Sequence, residues 1–269
     1  MAEPLKNQYG PDIPRKIAAM IEGVYASFDV EAFLARVLDG YEDLELKPRA
    51  QQISECLHHC LPHDYPEAIR ILMASLGPKL EGTESFGMAP FLYLPHTIFV
   101  ADYGLDHFEP SMQAQYELPQ RFSAEFSIRA YLETHPEKTL DRLRAWTQDE
   151  SPHVRRLVSE GTRTRLPWAA RLRAFQKDPR PVIALLELLK DDPNLYVRRS
   201  VANNLNDIGK DNLPLLIETT RAWMADASEE RAWLVRHALR SAVKQGDNVS
   251  ISIVGYGYAL SFELQVICF

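Results

Sequence analysis

Cysteine is scarce, with three in 269 residues, and two of them stand four positions apart at Cys56 and Cys60. That spacing makes no disulfide framework, and a reducing cytoplasm is the expected setting. Long hydrophobic runs are also missing. The opening stretch MAEPLKNQYGPDIPRK has no apolar core, so no secretory signal is expected. The most apolar late stretch, 249–268, is broken by Gly255, Gly257, Glu263 and Gln265 and makes a poor membrane span, so no membrane partner is expected. No glycine-rich phosphate loop and no serine nucleophile elbow appear. An excess of positive charge is lacking as well. The net charge of −7 would ordinarily argue against a nucleic-acid partner.

The distribution of charge reverses that argument. Residues 1–120 hold 8 basic and 18 acidic side chains, a net of −10, whereas 121–246 hold 22 and 17, a net of +5. An arginine-rich middle can face phosphates although the chain as a whole is acidic. With 46% hydrophobic and 25% charged residues the composition is that of a soluble globular protein.

Apolar residues recur with helical spacing along nearly the whole chain. Ile17, Met20, Ile21 and Val24 mark one helix, and Phe33, Leu34, Val37 and Leu38 a second, with Asp29 at its N-cap. Residues 48–61 and 65–76 give two more, the latter with Pro66 in its first turn. From 82 to 120 glycines and prolines break the pattern while aromatics crowd it, which predicts short helices and ordered loops. Regular helices are then predicted at 120–134, 136–147, 151–161, 167–176, 179–190, 194–208, 213–224 and 229–245, with prolines at or near their starts.

Three of these helices share a motif. Val154-Arg155-Arg156 and Val197-Arg198-Arg199 lie 43 positions apart, and Val235-Arg236-His237 follows 38 further on. A period near 40 is that of HEAT-type repeats, helix pairs that stack and leave a curved groove. The predicted fold is therefore all-α, a curved α-solenoid of HEAT-like helical repeats over 1–246. The tail 247–269 alternates apolar residues and reads as a short β-like pair of strands, incomplete as a domain.

Beside the apolar stripe of each repeat helix runs a polar row: Arg156 and Glu160 in one, Arg199, Asn203 and Asp207 in the next. The plain alternative is a solvated helix face with i, i+4 pairs. Arg155 and Arg198, next to the apolar residue, read as braces between repeats. The connecting turn GTRTRLPW adds Arg163, Arg165 and Trp168, the last either a core anchor or a site residue. Asn203-Asn204-Leu205-Asn206 is an odd density of amides for a helix, since asparagine is a weak helix former. Glu125, in the helix predicted at 120–134, is by itself an ordinary carboxylate. Cys56, His59, Cys60 and His63 could converge on zinc. Pro62 interrupts that helix, however, and the cysteines fit its apolar stripe, so buried thiols are expected and no metal or other cofactor.

Longer stretches then carry a resemblance. PLKNQYG at 4–10, YGLDHFEPSM at 103–112, QRFSAEFSIR at 120–129, HVRRLVSEGTR at 153–163, RLPW at 165–168 and YVRRSVANNLNDIGKD at 196–211 are similar to the AlkC branch of the AlkC/AlkD DNA-alkylation-repair glycosylases. The resemblance spans essentially 1–246. It implies a solenoid that grips alkylated double-stranded DNA and cleaves the N-glycosidic bond of cationic bases, 3-methyladenine and 3-methylcytosine, without base flipping, in base excision repair. It also implies that Glu125, Glu160, Trp168 and Asp207 are the active-site carboxylates and tryptophan, with Arg156 a basic position nearby. Phosphate contacts are expected from Arg156, Arg163, Arg165, Arg199 and Asn203. No Schiff-base lysine is apparent in the cluster, so the expected product is an abasic site in an uncut strand, and the expected state is a monomer. Thr164 stands where the family pattern has proline, and the tail does not resemble a complete Ig-like module. The rival reading is a HEAT scaffold that binds DNA or protein and does no chemistry.

Overall fold

The computed structural model describes residues 4–84 and 87–255. Among them every regular element is helical, and the chain falls into two compact units, Met1–Pro136 and Glu137–Phe269.

In the first unit, α1 (Asp12–Glu22) buries Ile13, Ile17 and Ile21, one stripe at i, i+4, i+8. α2 (Val30–Val37) begins as predicted, with Asp29 Oδ1 accepting from the Ala32 N–H at 2.9 Å. α3 (Leu46–Cys60) and α4 (Tyr65–Ala74) follow, the latter capped by Asp64. α5 (Leu94–Tyr103), α6 (Phe108–Glu117) and α7 (Ser127–Thr134) complete the unit. In the described part of the proline-broken stretch short helices form, as its aromatics implied, and Tyr93 and Phe99 are buried in the core. Phe86 lies outside the described residues.

The second unit holds the repeats. After α8 (Pro136–Trp146), α9 (Pro152–Gly161), α12 (Leu195–Gly209) and α14 (Glu229–Lys244) form one layer, the three helices that carry the Val-Arg motif. Behind them α11 (Arg180–Leu189) packs on α9 and α12, and α13 (Leu213–Met224) packs on α12 and α14. A five-residue helix, α10 (Arg173–Lys177), precedes α11. Val154, Leu157, Val158, Val197, Val201, Leu205, Ile208, Val235 and Leu239 are fully or almost fully buried between the layers. Each such side chain contributes about 1.5–3 kcal/mol. At the end of α12 Gly209 lets Leu216 of α13 approach closely: a Cβ there would stand 2.3 Å from Leu216 Cδ2, and that side chain would have to shift.

In the motifs of α9 and α12 the first arginine braces, as its position suggested. Arg155 grips Asp192 through Nε at 2.6 Å and Nη2 at 3.1 Å, and Arg198 donates to the Asp192 carbonyl at 2.6 Å. The amides of α12 tie the layer together. Asn204 Nδ2 donates to the Ser159 carbonyl of α9 at 2.7 Å and to Thr162 Oγ1 at 2.9 Å. Asn206 Nδ2 donates to the Ala238 carbonyl of α14 at 2.8 Å, and its Oδ1 accepts from Ser241 at 3.0 Å.

Three expectations change. The helix predicted at 120–134 begins only at Ser127, so Glu125 stands in the turn before α7. The helix predicted at 167–176 shrinks to α10; residues 162–172 run as an irregular segment pinned by buried Leu166 near its middle and Leu172 at its end. The β-like tail is helical where it is described. α15 (Asn248–Ile253) packs on α13 and α14, with Asp247 Oδ1 accepting from the Ser250 N–H at 2.7 Å. No strand among the described residues is there to pair with, and the aspartate cap closes a helical turn instead. The rest of the predicted strand pair, 256–269, lies outside the described residues.

Candidate functional site

Glu160 on α9 and Asp207 on α12 are brought together by the packing of those two helices, and both are buried, 6% and 2% exposed. Two carboxylates out of water need cations. Arg163, just past the end of α9, supplies one to both. Its Nη1 donates to Glu160 Oε1 at 2.7 Å, its Nε donates to Asp207 Oδ2 at 2.8 Å, and its Nη2 stands 2.8 Å from the same Asp207 oxygen. The second oxygen of Glu160 accepts from Ser200 Oγ at 2.6 Å, and Ser200 in turn faces Ser159 Oγ at 2.7 Å. Arg156 completes the surroundings of Glu160, with Nη2 at 3.7 Å and its guanidinium over the Tyr196 ring, 5.1 Å from the centroid.

Burial alone would push the Glu160 carboxyl up. Arg156 and Arg163, with the hydrogen bonds from Ser200 and Arg163, outweigh it and hold that carboxyl below its ordinary range. The same two carboxylates raise Arg163 against the cost of its own burial. The cluster is thus a pre-set field of fixed charge.

A lysine belongs to it that the sequence reading did not find. Lys210 Nζ donates to Asp207 Oδ1 at 2.9 Å, from a side chain 40% exposed. It lies three positions beyond Asp207, on the next turn of chain, where i, i+3 neighbours meet.

Trp168 stands 60% exposed on the segment that follows Arg163. Its φ is 65°, the one positive value at a non-glycine residue among those described. The turn is closed by the Ala169 N–H donating to the Leu166 carbonyl at 3.3 Å, with Pro167 second and Trp168 third. Glycine is the usual third residue of such a turn, and a bulky side chain there costs about 1–3 kcal/mol. The surroundings hold the strain in place. Arg165 clamps Asp211 at 2.9 and 2.6 Å, Gln176 Nε2 reaches Asp211 at 2.8 Å, and Asn212 Nδ2 donates to the Gln176 carbonyl at 2.7 Å. Thr164, between the two anchored arginines, is fully buried. The segment is therefore strapped to the end of α12, and Trp168 is held out from it rather than packed as a core anchor.

The other expected residues divide. Arg163 and Arg165 have their guanidinium groups committed to carboxylates, so their first role is to hold this segment. Arg199 is exposed on α12. Asn203 turns its Oδ1 to α14, accepting from Arg240 Nη2 at 2.9 Å, with His237 Nε2 at 3.2 Å. Glu125 is half-buried in the first unit, while Glu160, Trp168 and Asp207 belong to the second. For the zinc alternative, Cys56 is buried and its thiol is pushed up to about 11, mainly by that burial. No group of three or more metal-donor side chains assembles among the described residues. No helix among them is long and apolar enough to cross a membrane.

Comparison with known proteins adds two similar chains. An uncharacterised protein of Bacillus subtilis (strain 168), YhaZ, is 35% identical over 262 residues, covering 97% of this chain and 71% of YhaZ. The structure of the Pseudomonas fluorescens alkylpurine DNA glycosylase AlkC, bound to DNA containing an abasic site analogue, superposes with a TM-score of 0.86 at 39% identity. That match covers 95% of this chain and 69% of the other. No family model matches the chain.

Proposed function

The chain belongs to the AlkC-type family of DNA-alkylation-repair glycosylases, and on that premise we propose that it hydrolyses the N-glycosidic bond of cationic alkylated bases in duplex DNA. The substrates of this reading are 3-methyladenine and 3-methylcytosine, released without extruding the nucleotide into a pocket. The observation that carries it is the pair of buried carboxylates locked by Arg163, at the head of a segment that holds out an exposed, strained tryptophan.

A 3-methylated base is already a cation and leaves without being protonated. Positive charge then develops on the deoxyribose, and only groups that bind it more strongly in the transition state speed the step. Asp207 is the group for this task, because its carboxylate is oriented before substrate arrives and needs no rearrangement from water. It also serves to position or activate the water that attacks C1′. Glu160 adds negative field and, through Arg163, fixes where Asp207 points. Glu125, which belongs to the first unit, keeps only the part that the family resemblance implies for it. Trp168 offers a flat face to the sugar or to the cationic base. Lys210, the lysine found beside Asp207, has its Nζ committed to that carboxylate. Water is the nucleophile of this reading, so an abasic site in an uncut strand is the expected product.

Incubating the protein with methylated duplex DNA and analysing both products tests the reading. Free 3-methyl bases together with unbroken strands that carry abasic sites are the expected pair. Tight DNA binding with no base released would favour the non-catalytic scaffold.

A further inference from the structure

α14 carries cations that the mechanism above does not use. Arg236, Arg240 and Lys244 recur at every fourth position, so they project from one face of the helix. All three are exposed. With Ser241, Val243 and Val254 they line a concavity of about 490 Å3 whose wall has no acidic side chain among the described residues. At 1.5 Å rise per residue the row is about 12 Å long. Over that length one strand of a duplex presents three to four phosphates, at ~3.4 Å of axis each.

The middle cation is held. Arg240 Nη2 donates to Asn203 Oδ1 at 2.9 Å, and His237, facing the same oxygen at 3.2 Å, is stacked on Trp233 with ring centres 5.2 Å apart. Partial burial of its guanidinium pulls Arg240 below its ordinary value; Asp207 opposes this pull and Arg163 adds to it. Arg240 therefore stands within the field of the candidate site and is under-supplied with negative charge. A phosphate would supply it.

We propose that the α14 row of Arg236, Arg240 and Lys244 is a seat for successive phosphodiesters of the DNA backbone, leading up to the site where Asp207 acts. The inference rests on the DNA-binding part of the function proposed above and is independent of the excision chemistry. An anionic membrane surface presents the same charge, but the row's link through Asn203 and Arg240 to the carboxylate site favours nucleic acid.

The test uses the double variant R236Q/K244Q, which leaves Arg240 and its hydrogen bond to Asn203 intact. A second double variant, K177Q/R221Q, removes the same charge from exposed positions of the same unit off the row. Affinity for an undamaged duplex is measured by fluorescence anisotropy over a range of salt concentrations, with the thermal unfolding of each variant as a check on folding. Each lost phosphate contact lowers the slope of log affinity against log salt by ~0.9. The row variant should therefore lose nearly two units of slope and bind about tenfold more weakly at low salt, with the off-row variant close to wild type. Equal losses in both variants, or none in the row variant, would overturn the proposal. So would lost binding to phosphatidylglycerol vesicles with DNA affinity unchanged. A wild-type protein that binds no DNA would fail the proposed function as well, whereas normal base release with an unchanged slope would fail this inference alone.

Discussion

A carboxylate buried as deeply as Glu160 stays ionised only while its cations stay in place. Arg156, Arg163 and Ser200 outweigh burial and depress its pKa, so the folded state favours the carboxylate more than the unfolded chain does. The stability this confers is complete above the unfolded pKa, about 4.3, and is lost as pH falls through the lower folded value. Glu160→Gln removes the titration. The gap in unfolding free energy between wild type and this variant should be constant at neutral pH and shrink below about pH 4; a gap that stays constant in acid would contradict the ion-pair account. Trp168 gives a prediction of opposite sign. At φ 65° its backbone suits glycine, so Trp168→Gly should raise stability by ~1 kcal/mol in denaturant titrations while abolishing base release. A variant less stable than wild type would show that the side chain is a packing residue after all. Glu160 and Asp207 could be placed on helix faces from the sequence because i, i+4 spacing fixes a face. Their shared partner could not. Arg163 and Asp207 are 44 positions apart, and helical period does not say which side chain of the next helix stands opposite.

At the scale of the element, α12 explains its own odd composition. Asn204 reaches back to α9 and Asn206 forward to α14, so the amides that weaken the helix locally join it to both neighbours. Asn206→Leu leaves the half-buried Ser241 hydroxyl and the Ala238 carbonyl without these bonds. It should cost about 1–3 kcal/mol in unfolding free energy, with the helical circular dichroism of the folded state unchanged. A neutral effect would mean that the amides are not what joins the layer. Where caps and prolines mark a start, as at Asp29, Pro66 and Pro152, the helices stand within two residues of their predicted positions. The reading fails where tertiary anchors override a local pattern. Leu166 and Leu172 pull the 162–172 segment out of helix, and the Asp247 cap winds a strand-like alternation into α15. The cations of α14 escaped notice because Arg240 is ordinary until Asn203 and Asp207 are seen beside it.

For the molecule as a whole, a net charge of −7 conceals a basic stretch at 121–246 of net +5, and it is there that the buried carboxylates and the α14 row lie. Two charge patterns of opposite use share one unit: exposed cations suited to phosphates, and enclosed anions suited to a cation that forms during reaction. The central claim is that Asp207 does the second job and not the first. The most direct measurement compares wild type and Asp207→Asn on duplex DNA carrying 3-methyladenine, with base release followed under single-turnover conditions and DNA affinity measured in parallel. The account predicts that the variant binds the duplex about as well as wild type and releases no base above the uncatalysed rate. Full release by Asp207→Asn would contradict it.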